Sequence, residues 1–209
     1  MMLSDLAVDK IISFKPKSLL DVGMGEGLQA RRFLDAGINV TSIDFGVSEH
    51  FCNGKGDWMQ NERFTLLQGD FMSLSLSSVD CLWASHILEH MRNPGLFLDK
   101  CFKILSDDGI FAVTVPPLKH DIVGGHLSLW NPGLLLYNMI LAGFNCKDAW
   151  VCQYGYNISV IVRKVPIVDF DFSTLVYDWL DVSRLSAYFP FPAVDGFNGS
   201  DFEGLVKVD

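Results

Sequence analysis

The stretch SLLDVGMGEG, residues 18–27, places three glycines at alternate positions directly after a short apolar run. An apolar strand, a glycine-rich turn and a helix in succession allow a ligand to approach the backbone at the carboxyl edge of an open α/β sheet. Gly23, Gly25 and Gly27 are therefore the first candidates for a binding site. No other part of the chain restricts the fold as strongly.

Beyond this stretch, short β-branched or apolar runs alternate with longer segments of helical spacing, which predicts an α/β sheet with mainly parallel strands. Helices are expected before Gly37, from Pro94 to a stop at Gly109, and over residues 134–142. A final hairpin is expected to turn near Gly155. The strands predicted before this hairpin cover residues 18–23, 39–44, 64–70, 79–85 and 109–116.

The side chains around the glycines do not suit a phosphate ligand. In the dinucleotide pattern G-x-G-x-x-G, Leu28 stands where the third glycine is required, which weakens a nicotinamide hypothesis. No G-K-S/T follows, and the carboxylates of Asp21 and Glu26 would repel phosphate, so a phosphate-binding loop is excluded more firmly. The stretch favours a ligand that carries positive charge and hydroxyl groups.

Two further carboxylates stand at the ends of predicted strands. Asp44 ends the second strand in VTSID, and Asp70 ends the third in LLQGD. Because the carboxyl ends of parallel strands meet at one edge of the sheet, we expect both side chains to lie on the same edge as the glycines.

At this point the sequence resembles a class I S-adenosylmethionine-dependent methyltransferase, of the small-molecule group called the methyltransferase type 11 family. The resemblance covers about residues 17–164 and depends on LLDVGMGEG, VTSIDFG, LLQGDFMSL, VDCLWASHILEHMRNPGLFLDKCFKIL and DDGIFAVTVPP in the family's order. It implies a Rossmann-like, doubly wound α/β sheet of about seven mostly parallel strands with a C-terminal antiparallel hairpin. It also implies S-adenosyl-L-methionine as cofactor and S-adenosyl-L-homocysteine as product.

The resemblance assigns cofactor roles to particular positions. Asp21 is expected to orient the ammonium group of the cofactor, and Asp44 to accept hydrogen bonds from the ribose hydroxyls. Asp70 and the backbone of Phe71 are expected to recognise the adenine. The complete set of expected cofactor residues is Asp21, Gly23, Gly25, Gly27, Asp44, Phe45, Asp70, Phe71 and Ser85.

Methyl transfer to a hydroxyl group can require a base, and a histidine is the natural candidate. His86 follows the fourth strand, beside Ser85, where the fold faces the methyl group. His120 and His126 flank DIVGG in the long loop after the fifth strand, where the family usually builds its acceptor site. These three histidines are the catalytic candidates, each with a structural role as the alternative, whereas His90 matches a family histidine that is more often structural.

A metal centre is not expected from the sequence. The spacing of His120, Asp121 and His126 is a weak ligand pattern without a further anchor, and the five cysteines form no C-x-x-C pair. We therefore assign no metal at this stage.

The composition changes after residue 164. Residues 165–209 hold eight acidic side chains against two basic ones, together with nine aromatic side chains, too many for an ordinary disordered linker. We expect residues 1–164 to form the S-adenosylmethionine-binding domain. The acidic, aromatic extension is expected to pack on this domain or on a neighbouring subunit, which allows a homodimer.

The remaining features narrow the class of function. The formal net charge of −9 and the pI near 4.9 argue against binding a nucleic-acid backbone. No signal peptide and no apolar run of about 20 residues is seen, so a cytoplasmic protein without a membrane span is expected. A small organic acceptor is therefore favoured, with a sugar or nucleotide sugar as the leading hypothesis. The alternatives are a noncatalytic cofactor-binding or protein-interaction module and, less favoured, a nicotinamide-dependent oxidoreductase.

Overall fold

The structure, a computed structural model, describes residues 4–119 and 121–208. Its strands, numbered in chain order, are β1 (Ser18–Val22), β2 (Asn39–Asp44), β3 (Phe64–Gln68), β4 (Val79–Ser85), β5 (Leu105–Val115), β6 (Trp150–Tyr154), β7 (Asn157–Arg163) and β8 (Val206–Val208). Its α-helices are α1 (Asp5–Ser13), α2 (Leu28–Asp35), α3 (Glu49–Gly54), α4 (Pro94–Ile104), α5 (Pro132–Leu141) and α6 (Trp179–Arg184).

The eight strands form one sheet in the order β3-β2-β1-β4-β5-β7-β6-β8. All neighbours pair in parallel except β7, which runs antiparallel to both β5 and β6. The predicted α/β sheet with a C-terminal antiparallel hairpin is confirmed. There are eight strands and not about seven, because β8 near the end of the chain pairs with the outer side of β6.

Helices cover both faces of the sheet, as a doubly wound fold requires. Neighbouring residues of β1 point to opposite faces: Leu19 packs in the cluster that includes α1, α2 and α3, and Leu20 packs in the cluster that includes α4 and α5. The central strands β1, β4, β5 and β7 are buried along most of their length, which explains their nearly continuous apolar sequences.

One predicted boundary is wrong. Pro94 begins α4 as expected, but the helix ends at Ile104 and β5 begins at once with Leu105. The register of β5 against β4 shifts between Val79 and Cys81, and Asp108 adopts a φ of 59° in this irregular part of the strand. Gly109 therefore belongs to a bulge and not to a helix end: a Cβ there would lie 2.7 Å from the carbonyl oxygen of Ser106.

The last segment of the chain packs against the same domain. Tyr188, Phe189 and Phe191 are buried in the cluster that contains α5, and the ring of Phe189 stacks on Tyr137 of α5 with ring centroids 6.4 Å apart. The last segment thereby covers part of α5, whose Leu134 stays 43% exposed. Among the described residues no helix is both long enough and apolar enough to cross a membrane. The division of the chain into domains at residue 164 stays a prediction.

Candidate functional site

The turn after β1 has a backbone that only glycine adopts easily. Gly23, Gly25 and Gly27 have φ values of 80°, 53° and 69°. A Cβ at Gly23 would lie 2.0 Å from Cδ1 of Ile87, and one at Gly27 would lie 2.4 Å from the ring of Trp58. Backbone conformation therefore favours glycine at all three positions, and close packing of neighbouring side chains favours it also at Gly23 and Gly27, whereas a Cβ at Gly25 would meet no atom nearer than 4.0 Å.

Asp44 joins this turn to the end of β2. Its Oδ2 accepts a hydrogen bond from the N–H of Gly25 at 3.1 Å, and its Oδ1 accepts one from the N–H of Gly46 at 2.8 Å. The carboxylate is half-buried, so each oxygen retains acceptor capacity toward the open edge of the sheet. The structure thus brings Asp44 to the glycine turn, 19 positions away in the chain.

Asp21 lies beneath the same turn and is 3% exposed. The pKa of this carboxyl is raised to about 7, mainly by burial; a hydrogen bond of 2.8 Å from the hydroxyl of Ser42 opposes the shift, and the nearby charge of Asp44 adds to it. A positively charged ligand near this carboxyl would favour its ionised form.

Asp70 and Phe71 follow β3. Both oxygens of Asp70 have partners within its own turn: Oδ1 accepts from the N–H of Met72 and Oδ2 from the hydroxyl of Ser73, each at 2.9 Å. Phe71 is 5% exposed, and its carbonyl oxygen accepts a hydrogen bond from the ammonium of Lys100. Asp70 therefore shapes this turn, and its role toward adenine stays a prediction. Phe45, after β2, exposes more than half of its side chain.

Ser85 and His86 mark the end of β4. The hydroxyl of Ser85 lies 2.7 Å from that of Ser4, which precedes α1. His86 has a φ of 56°, and both of its ring nitrogens have acceptors: Oε1 of Glu89 lies 3.1 Å from Nδ1, and Oδ1 of Asn157 lies 2.9 Å from Nε2. His86 is thus firmly oriented.

These partners determine the charge of His86. Burial lowers its pKa, but the hydrogen bonds to Glu89 and Asn157, together with the charge of Glu89, outweigh that effect, and the pKa lies above its usual value. Because both nitrogens face acceptors, the ring suits the doubly protonated form. His86 must release one of these bonds before it can accept a proton from a substrate.

Glu89 was not predicted from the sequence, although it lies inside the motif VDCLWASHILEHMRNPGLFLDKCFKIL. It is fully buried, its Oε2 has no hydrogen-bond partner among residues 4–119 and 121–208, and its ligand atom lies within 4.8 Å of those of His90 and His126. Burial lowers the pKa of His126, as do the charges of His90, His86 and Lys119, while Glu89 opposes them. His126 is thus close to the end of β4, whereas His120 lies outside the described residues.

Two further buried polar atoms lie in the segments beside this cluster. The hydroxyl of Tyr156, in the turn between β6 and β7, and Nε1 of Trp130 have no hydrogen-bond partner in the part of the chain that the structure describes. The ring of Tyr156 stacks near His86 with centroids 6.5 Å apart, and the ammonium of Lys119 lies 4.5 Å from the Tyr156 ring centroid. No sequence pattern selects Tyr156, since a hairpin turn brings it to this edge from far along the chain.

The strand order, the glycine turn after β1 and the acid at the end of β2 together define the class I S-adenosylmethionine-dependent methyltransferase fold. Residues 20–113 match the family described as methyltransferase domain, type 11. This match confirms the resemblance seen in the sequence motifs. S-adenosyl-L-methionine is the cofactor of this class of domain.

Comparison with known proteins gives the following similarities. The ubiquinone biosynthesis O-methyltransferase of Psychrobacter cryohalolentis is 30% identical over 105 residues, which cover 45% of this chain and 38% of that protein. The 4+2 cyclase SpnF is 26% identical with a TM-score of 0.57, covering 71% of this chain and 60% of SpnF.

A more distant similarity concerns the fold alone. A 1,6-didemethyltoxoflavin N1-methyltransferase of Burkholderia thailandensis, solved with 1,6-didemethyltoxoflavin and S-adenosylhomocysteine, has a TM-score of 0.62 at 18% identity. The similarity covers 76% of this chain and 77% of that one. By contrast, the match to the ubiquinone biosynthesis enzyme spans well under half of that protein's length.

Proposed function

We propose that this protein binds S-adenosyl-L-methionine at the glycine turn and transfers its methyl group to a small organic acceptor. The observation that carries the proposal is the hydrogen bond from the N–H of Gly25 to the carboxylate of Asp44, near the buried carboxyl of Asp21. The cofactor has a sulfonium and an ammonium but no phosphate, so it matches a glycine turn lined by acids. The sequence from residue 18 to residue 30 contains no lysine or arginine that would recruit a phosphate.

Each part of the cofactor has a proposed partner. The turn of Gly23, Gly25 and Gly27 passes along the methionine portion, and Asp21 attracts its ammonium. Asp44 accepts hydrogen bonds from the ribose. The adenine lies between the exposed ring of Phe45 and the segment of Asp70 and Phe71, and Ser85 lines the pocket near the methyl group. Methyl transfer then depends mainly on holding the acceptor in line with the sulfonium.

The acceptor is proposed to lie at the end of β4, under the loop between β5 and α5. His86 and His126 border this place, and they are the proposed proton acceptors together with His120. Ile122 and Leu127 of the loop are 95% and 62% exposed, which favours an acceptor with an apolar part.

The finer proposal of a sugar or nucleotide sugar acceptor draws no support from the aromatic residues of the extension. The rings of Tyr188, Phe189 and Phe191 are buried in the core.

Calorimetric titration tests the cofactor assignment. We expect S-adenosyl-L-methionine and S-adenosyl-L-homocysteine to bind with micromolar affinity and NADH not to bind. Binding of NADH alone would overturn the assignment of the glycine turn. Production of S-adenosyl-L-homocysteine in the presence of a panel of hydroxyl- and amine-bearing acceptors would then identify the acceptor class.

Replacement of Asp44 by alanine is expected to raise the dissociation constant for S-adenosyl-L-homocysteine roughly 10- to 100-fold. The variant loses charge-assisted hydrogen bonds worth about 1.5 to 3 kcal/mol, and two backbone N–H groups lose their acceptor. Titration of the variant beside Asp99→Ala, an exposed acid on α4, measures the effect. Equal affinities in the two variants would show that Asp44 does not contact the ribose.

The second candidate is a noncatalytic or differently catalytic module that keeps the cofactor site. The observation that favours it is the similarity to SpnF, which has this fold and is named as a cyclase and not as a methyltransferase. Cofactor binding without any formation of S-adenosyl-L-homocysteine across the acceptor panel would support this candidate over methyl transfer.

A homodimer through the extension stays a proposal. Tyr177, Trp179 and Leu180 at the start of α6 are 76%, 58% and 52% exposed, an apolar surface unusual for a solvent-facing helix. Trp179→Glu is expected to convert a dimer to a monomer in sedimentation velocity measurements. A wild-type protein that sediments as a monomer would remove the dimer proposal.

A further inference from the structure

One carboxylate and two imidazoles converge beside the end of β4. Glu89 and His90 are adjacent in the short turn after the strand, and His126 comes from the loop between β5 and α5. One ligand atom from each of the three lies within 4.8 Å of the others. The His90 and His126 rings meet edge to face with centroids 5.0 Å apart.

Glu89 is the unusual member of this cluster. Its side chain is fully buried, Oε1 lies 3.1 Å from the His86 ring, and Oε2 has no partner among the described residues. A buried carboxylate oxygen without a partner is costly, and such a group in a native protein requires an explanation. A bound cation would supply the missing interaction.

We propose that Glu89, His90 and His126 bind a divalent transition-metal ion. Two imidazoles and one carboxylate form a ligand set typical of zinc and of non-haem iron, with further positions open to water or substrate. Magnesium and calcium prefer oxygen ligands and are a poorer match. This set differs from the one weighed in the sequence analysis, since Glu89 and His90 take the place of His120 and Asp121.

The surroundings hold the three ligands in place before any metal arrives. The carbonyl oxygen of Glu89 accepts hydrogen bonds from the N–H groups of Leu127 and Ser128, at 2.7 and 3.3 Å. These bonds tie the residues that follow His126 to the turn of Glu89. The ring of His86 orients the carboxylate from the other side, as the outer partners of metal ligands commonly do.

The charges around the three ligands limit the affinity. The ammonium of Lys119 lies 4.5 Å from the ring centroid of Tyr156, which itself stacks near His86, and Glu89 is the single carboxylate among the three ligands. One negative charge with a positive side chain in the same neighbourhood gives only a moderate attraction for a cation. We therefore expect micromolar binding of zinc.

The chemical role of the ion rests on the proposed function. An acceptor hydroxyl that occupies an open position on the ion loses its proton to solvent more readily. The oxygen then forms a bond to the methyl carbon while the carbon–sulfur bond breaks. The electron pair of the broken carbon–sulfur bond stays on sulfur, which gives S-adenosyl-L-homocysteine. With the ion bound, His126 acts as a ligand and not as the proton acceptor, and this role selects an oxygen acceptor.

Zinc titration of the full chain without a polyhistidine tag tests the site. With the protein first stripped of metal and a chromophoric chelator as competitor, we expect one zinc per chain at micromolar affinity. His126→Ala, on the partly exposed loop, is expected to weaken binding at least tenfold while its thermal unfolding stays that of the wild type. His90→Ala and Glu89→Gln are expected to weaken binding in the same way.

The double variant His50→Ala and Cys52→Ser is the matched control, because it removes an exposed histidine and an exposed cysteine on α3. Loss of zinc in this control, or unchanged zinc affinity in folded His126→Ala, would overturn the proposal, as would the absence of saturable micromolar binding in the wild type. Cobalt absorption bands that vanish in His126→Ala would support it. The titration contains no cofactor, so its failure would leave the proposed methyl transfer untouched.

Discussion

Between about pH 4 and pH 8, the free energy of unfolding of the unliganded protein is expected to fall by about 4 kcal/mol relative to that of Asp21→Asn. Burial raises the pKa of Asp21 from 3.8 to about 7 in the folded protein, a difference of about 3 units at 1.36 kcal/mol each. The folded state therefore holds a proton that the unfolded state has lost in this range. Stability declines as the pH rises from the unfolded pKa to the folded pKa, and then levels.

Denaturant unfolding of both proteins at several pH values measures this difference. Asparagine has nearly the same shape as the protonated carboxyl but does not titrate, so it removes only the contribution of Asp21. Parallel stability curves for the two proteins would contradict the assignment of a raised pKa. A rise in wild-type stability at pH 8 on addition of S-adenosyl-L-methionine, weaker in the variant, would connect this carboxyl to the cofactor.

Gly54→Ala is expected to lower the free energy of unfolding by about 2 to 3 kcal/mol and to weaken cofactor binding. A Cβ at Gly54, the last residue of α3, would lie 2.4 Å from the Cα of Glu26, which belongs to the glycine turn. Backbone atoms cannot rotate away as side chains do, so either α3 or the turn must move. The strain therefore falls on the candidate cofactor site itself.

Gly95→Ala is the matched control, since that glycine also lies in a helix and a Cβ there would meet no atom within 4 Å. Its stability is expected to equal or slightly exceed that of the wild type. Thermal unfolding and calorimetric titration of both variants check the comparison. A Gly54→Ala protein that keeps wild-type stability and affinity would show that α3 does not restrain the turn.

The sequence allowed prediction of features that depend on neighbours along the chain. The apolar run before Gly23 predicted β1, and the acid at the end of the next run predicted that Asp44 would lie at the same sheet edge. The reason is that neighbouring parallel strands have their carboxyl ends at the same edge of the sheet. The hairpin at Gly155 followed from its turn residue between two β-rich runs.

Features made by long-range packing were not accessible in this way. The burial of Glu89, the approach of Asn157 to His86 and the contact of Gly54 with the glycine turn each join segments that no local pattern relates. The end of α4 was also misjudged, because Gly109 has the same appearance in a bulge as after a helix. Local periodicity therefore predicted the position of the glycine turn and Asp44 better than the packing around the end of β4.

The packing of the last segment on α5 has a consequence for synthesis of the protein. Leu136 of α5 is synthesised 55 residues before Phe191, which belongs to the same buried cluster. At roughly 5 to 20 residues per second, several seconds separate the synthesis of these two residues. During that interval the apolar face of α5 that the aromatic residues cover lacks these contacts, so the buried cluster is complete only after the aromatic residues have been synthesised.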